Sequence, residues 1–212
     1  MLNIRTFPLG PFQTNCYILT NKNNECLVID PGEEGLALIK ELKKLRLKPV
    51  AILLTHAHFD HIGAVDEVRE QFNVPVYIHV AEKDWLMDST KNGSARYNEV
   101  ENVSGKAADI LLTEEGQLEI ASFTCEVLHT PGHSPGSLTY WFKDEGFAIV
   151  GDTLFQGSIG RTDLPHGNEK ELMKSIHNKI LTFPEHTICY PGHGTHTTPE
   201  EEMNHNPFIN GF

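Results

Sequence analysis

A wholly apolar run, Val50-Ala51-Ile52-Leu53-Leu54, leads straight into Thr55-His56-Ala57-His58-Phe59-Asp60-His61. Apolar runs without polar alternation belong to strands covered on both faces, so this one is expected inside an α/β sheet. Three imidazoles and a carboxylate crowd the turn that follows it, and the carboxyl end of a sheet strand is where α/β folds place their sites. Side chains of this kind suit a bound metal ion, which sets what the rest of the chain must supply.

Three later strand-like runs end in similar fashion. Residues 123–128 alternate with period two and deliver His129-Thr130-Pro131-Gly132-His133. Phe147-Ala148-Ile149-Val150 ends in Gly151-Asp152, and Thr187-Ile188-Cys189-Tyr190 leads to Pro191-Gly192-His193-Gly194. Ligands this far apart in sequence converge only if their strands lie side by side. Neutral imidazole is the commonest nitrogen ligand of zinc, and five histidines with two aspartates are too many for one tetrahedral ion. They suit two divalent ions: His56, His58 and His133 on one, Asp60, His61 and His193 on the other, and Asp152 between them. A water shared by two such ions has its pKa lowered to about 7 and becomes a nucleophile at neutral pH. Metal-bound imidazoles pass their other N–H to a neighbouring acceptor, and Asp30, Thr55, Thr130 and Ser134 are candidates for that task. Arg161, in a Gly-bounded loop with Asp163, is a candidate contact for a substrate carboxylate. The remaining histidines, 79, 129, 166, 177, 186, 196 and 205, lack strand-end spacing and read as structural or surface residues.

The intervening segments predict strands over 16–20 and 26–30 joined as a hairpin by the polar cluster 21–25. A helix is expected over 35–47, with Leu36, Leu38, Ile39, Leu42 and Leu45 on its apolar face and Pro49 closing it. A second helix is expected over 62–72 and a strand over 74–79. Residues 86–105 show weak periodicity and read as a variable loop or a lid. Residues 110–112 and 118–120 flank a polar turn and predict antiparallel pairing. Helices are expected from Asn168, with a cap-like Asn168…Glu171 start, and over 198–205.

Composition narrows the function. The length of 212 residues suits one domain, 1–212. A net charge of −12, with no cluster of Lys and Arg, argues against a nucleic-acid substrate and for a small molecule. No apolar run approaches the ~20 residues of a membrane span, and the first residues lack the apolar segment of a signal peptide. The four cysteines form no CxxC pair and sit in apolar runs, so reduced, buried thiols and a cytoplasmic location are expected. Oligomeric state leaves no mark in the sequence.

THAHFDH, with PGHSPGS around His133, GDTLF around Asp152 and PGHG around His193, resembles the metallo-β-lactamase fold superfamily. The resemblance covers nearly the whole chain. It implies an α/β (α+β) architecture, an αββα sandwich of two mixed β-sheets flanked by helices. Within the superfamily, PLGPFQTNCYIL, Gly160-Arg161-Thr162-Asp163, YPGHG and Asn206-Pro207-Phe208 resemble small glyoxalase II-like (hydroxyacylglutathione hydrolase-like) hydrolases. Glyoxalase II proper carries a further C-terminal helical domain that binds glutathione, for which the segment after His193 offers one short helix. The implied function is hydrolysis of a small thioester or ester. Asp60 and Asp152 are the catalytic carboxylates, and two divalent ions, zinc with iron or manganese as alternatives, are the cofactors. A similar motif set occurs in persulfide dioxygenases, which implies the alternative of a single iron on His56, His133 and Asp152.

Overall fold

The chain opens on a short-loop antiparallel ribbon. Strands β1 (Asn3–Leu9), β2 (Thr14–Thr20) and β3 (Glu25–Ile29) pair in sequence order. The β2–β3 turn is fixed by Asn21, whose Oδ1 accepts from the Asn23 and Glu25 amides at 2.8 and 3.0 Å. The sheet then continues in parallel through β4 (Lys48–Leu53), β5 (Val76–His79) and β6 (Ile110–Leu112). The parallel crossovers carry helices α1 (Gly35–Lys44), α2 (Phe59–Ile62) and α3 (Val65–Phe72). Leu38 and Leu42 of α1 and Val65 and Val68 of α3 pack with Val28, Ile52, Val76 and Ile78 of the strands. Each such side chain contributes about 1.5–3 kcal/mol by leaving water. The computed structural model describes residues 1–210. Met1–Thr113 with Ile120–Phe123 make one compact unit, and Glu114–Glu119 with the chain from Thr124 onward make a second.

Four sequence expectations change in the first unit. Helix α1 stops at Lys44, and Pro49 lies inside β4, at an irregularity where Cys26 faces Pro49 and Leu27 faces Ala51. A proline, lacking an N–H for the ladder, is tolerated at such a bulge. Leu36 is 78% exposed, because the buried stripe of α1 runs through Gly35, Leu38, Ile39 and Leu42 and leaves it to one side. The helix expected over 62–72 is broken. Gly63 passes so close to the chain that an added Cβ would stand 2.2 Å from the Gly32 carbonyl oxygen, and the Ala64 amide is taken by Pro31. Finally, β6 pairs in parallel with β5 rather than antiparallel with the strand that follows it.

The second sheet has the order β13-β10-β9-β8-β7, from β7 (Gly116–Ile120), β8 (Phe123–His129), β9 (Leu138–Phe142), β10 (Phe147–Gly151) and β13 (Ile188–Pro191). In it β10 and β13 run parallel, while β8, β9 and β10 form an antiparallel meander. Two short strands not foreseen in the sequence, β11 (Leu154–Phe155) and β12 (Ser158–Ile159), make a small hairpin after β10. Helix α4 (Glu169–Asn178) starts at Asn168, whose side chain accepts from the Glu171 amide at 3.2 Å. Its Leu172 and Ile176 join Ala148, Val150, Ile180, Phe183 and Cys189 in the core of this unit. Helix α5 (Pro199–His205) is capped in the same manner by Thr198. The architecture is thus two mixed sheets flanked by helices, and no helix among the described residues is long and apolar enough to cross a membrane. All four cysteines are buried and unbridged, and burial pushes the thiols of Cys26, Cys125 and Cys189 up to about 12.

Candidate metal centre

In the first unit, parallel pairing of β3 and β4 brings Asp30 beside Thr55. The Asp30 carboxylate accepts from the Thr55 amide at 2.8 Å and the Thr55 hydroxyl at 2.6 Å. The hydroxyl proton is thereby committed, so the contact of 3.1 Å between Thr55 Oγ1 and His56 Nδ1 requires His56 to donate. His61 Nδ1 donates to Asp30 Oδ2 at 3.0 Å. Both rings are completely buried, and in each the Nδ1 contact puts the lone pair on Nε2. His58, nearly buried, stands with its ring perpendicular to His56 at 4.8 Å, while His56 and His61 are 4.1 Å apart. Asp60 lies on α2, and its Oδ2 accepts from Thr14 Oγ1 at 2.9 Å.

In the second unit, the parallel neighbours β10 and β13 end side by side, tied by Gly192 N to Gly151 O at 2.9 Å. Asp152 follows one and His193 the other. The Pro131-Gly132-His133 turn sits on the start of α4: Gly132 has φ +137°, its carbonyl accepts from the Asn168 amide, and a Cβ there would stand 2.2 Å from Leu172 N. Only glycine meets both demands. His133 Nδ1 donates to the Arg161 carbonyl at 2.8 Å, which again puts the lone pair on Nε2. His133 Nε2 and His193 Nε2 then stand 3.5 and 3.6 Å from the same oxygen, Asp152 Oδ2.

Those separations test the donor set. They exceed the ~2.7–3.2 Å of an N–H···O bond. Two atoms each ~2.0–2.2 Å from one tetrahedral ion are ~3.4 Å apart, which is the spacing found. The pair His61 Nε2 and Asp60 Oδ2, at 3.6 Å, has it too. The residues present therefore fit divalent ions, with His61 and Asp60 paired in one unit and Asp152 between His133 and His193 in the other.

Of the other predicted residues, Asp30 touches the His61 imidazole and Thr55 that of His56. Thr130 and Ser134 brace the turn around His133: Thr130 Oγ1 meets the hydroxyls of Thr139 and Thr153, and Ser134 Oγ meets Ser137 Oγ at 3.1 Å. The Arg161 guanidinium holds Asp163 through two bonds of 2.8 Å at the surface and draws its carboxyl down to about 2. Its carbonyl, which no side-chain reading would single out, is what orients His133. His129 bonds the Pro135 carbonyl, His186 pairs with Glu200, and His205 with Glu201. Residues 86–105, expected as a variable loop or a lid, carry half of their residues exposed around a small buried centre. They run through short 3-10 turns packed around the fully buried Asn92, which bonds the carbonyls of Trp85 and Val103. Two residues went unnoticed in the sequence. Thr14, in the PFQTNC run, orients Asp60; Glu82, an isolated carboxylate after β5, is completely buried and accepts from the Ala57 amide at 2.6 Å.

A profile of the family described as "Metallo-beta-lactamase superfamily" matches residues 9–193. The chain belongs to the metallo-β-lactamase superfamily. Among curated members it is 52% identical over 208 residues, 98% of each chain, to the probable metallo-hydrolase YqgX of Bacillus subtilis (strain 168). It is 35% identical over 210 residues, 99% of each chain, to the hydroxyacylglutathione hydrolase GloC of Haemophilus influenzae. Among solved members, BLEG-1, described as a B3 metallo-beta-lactamase, superposes with a TM-score of 0.96 at 54% identity, covering 99% of this chain and 100% of that one. TTHA1623 in a di-iron-bound form superposes with a TM-score of 0.84 at 36% identity, covering 96% and 99%. The fold is that of the metallo-β-lactamases, and the chain is a metal-dependent hydrolase of this superfamily.

Proposed function

We propose that this hydrolase holds two divalent metal ions and cleaves a small thioester or ester. His56, His58 and His133 would hold one ion, Asp60, His61 and His193 the other, and Asp152 both, within one domain spanning 1–212. The observation that carries this reading is the single oxygen Asp152 Oδ2 at 3.5 and 3.6 Å from two imidazole nitrogens, since one carboxylate oxygen so placed suits a shared ligand. Zinc fits the imidazole-rich set, and the di-iron form of TTHA1623 makes iron the alternative.

When bound, the two ions would supply Lewis acidity and a water acidified to near-neutral pKa. The protein's part is orientation. Asp30, Thr55 and the Arg161 carbonyl hold the imidazoles aimed through Nε2, and Thr14 fixes the Asp60 carboxylate that would orient the attacking water. A thiolate leaves without a dedicated general acid, because free thiols ionise near pH 8.5. Arg161 would meet an anionic substrate group by exchange with Asp163. Four buried thiols agree with a reducing, cytoplasmic setting.

A second reading, β-lactam hydrolysis, is favoured by the likeness to BLEG-1. Protein purified without added metal should carry about two zinc ions per chain and turn over acyl thioesters, hydroxyacylglutathione among them, faster than β-lactams. One iron per chain with O₂ consumed in the presence of a persulfide would overturn it, and turnover of β-lactams alone would favour the second reading.

A further inference from the structure

Glu82 is completely buried, yet it lies outside the proposed ligand set. Parallel pairing of β4 and β5, with the Leu54 amide on the Tyr77 carbonyl at 3.0 Å, carries both chains forward in step. The 3-10 turn after β5 (Val80–Glu82) therefore ends beneath the turn after β4. There Glu82 Oε2 accepts from the amide of Ala57, the residue between His56 and His58, at 2.6 Å. The next elements of the same segment continue the grip: the Phe59 amide bonds the Asn92 carbonyl at 3.0 Å, and the Trp85 ring stands 5.8 Å from that of His58. Taking a carboxylate completely out of water is costly, so its charge calls for an explanation beyond hydrogen bonding. A negative charge behind two imidazoles makes sense where positive charge is to be bound in front of them.

We infer that Glu82 is a positioning residue that sets metal affinity, fixing the His56–His58 backbone and adding its charge to the site. This rests on the metal reading above. The test uses full-length protein, Zn²⁺ competed against a chromophoric chelator, and thermal melting of the metal-free forms. E82Q keeps an acceptor for Ala57 and loses the charge. It should melt with metal-free wild type and bind Zn²⁺ about 10- to 100-fold more weakly, the range seen when groups behind metal ligands are changed. Unchanged zinc affinity in a folded E82Q would overturn the inference. Should E82Q not fold, E82D and E82N, equal in length and differing in charge, make the same comparison: tighter binding by E82D is expected, and equal binding overturns it. Wild type that takes up no zinc or iron at all would instead remove the metal reading itself.

Discussion

The Asp30 carboxylate lies 3.0 Å from His61 Nδ1, with both side chains withdrawn from solvent. Asp30 follows β3 and His61 lies on α2, so the contact joins two segments 31 residues apart. D30N keeps the shape and loses the charge that fixes the ring. It should weaken zinc binding about 10- to 100-fold. D30A also strips the Thr55 amide of its partner and should cost at least about 1–3 kcal/mol in urea unfolding of the metal-free protein.

Asp152 offers one oxygen to two imidazoles. D152A should therefore lose both the second equivalent of metal, read by elemental analysis, and thioester turnover. A variant that retains two ions per chain would refute the shared-ligand assignment.

Gly160 lies against the site without contributing a side chain. A Cβ there would stand 1.9 Å from the Asp152 carbonyl oxygen and 3.0 Å from His133 Cβ. Backbone cannot yield as a flexible side chain can, so G160A should lose about 1–3 kcal/mol of stability or more, with a parallel drop in metal content. Gly157, whose position is open space for a Cβ but has φ +67°, is the control: G157A should cost stability and leave metal content unchanged.

The buried thiols give a pH window. Their folded pKa values, about 12 for Cys26, Cys125 and Cys189, lie above the ~8.5 of an exposed thiol. Their contribution to stability is complete below pH ~8.5 and is lost as pH rises toward 12. Denaturation midpoints should fall through that range. At pH 8, a thiol reagent should label the native protein slowly and all four cysteines after unfolding.

Asp163 is the opposite case. The bond from Arg161 holds its carboxyl at about 2, so the pair persists above pH ~4 and is lost as pH falls through 2. In R161A, the Asp163 carbon signal should titrate near the ordinary carboxylate value.

Much of the site is written locally. His56 to His61, His133, Asp152 and His193 each follow an apolar run, and an apolar run is a strand signal that needs no knowledge of partners. The two sheets' mixed character was carried by resemblance rather than by periodicity. What escaped depends on which strands adjoin. Glu82 matters because β5 lies beside β4, and nothing around it in sequence marks it. The Arg161 carbonyl is invisible because every residue has one. The break at Gly63 and the parallel partner of β6 likewise follow from where Gly32 and β5 come to lie, not from local preference.

The β3–β4 register has one more consequence. Asp30 and Thr55 meet only when Ile29 faces Leu53. A slip of two residues would preserve the inward and outward faces of both strands. It would, however, carry Asp30 some ~6.6 Å along the sheet, out of reach of Thr55 and His61. Chains caught in that near-miss would present misdirected imidazoles and retain ions poorly. The strand alignment that the buried core selects is thus also the one that aims the imidazoles.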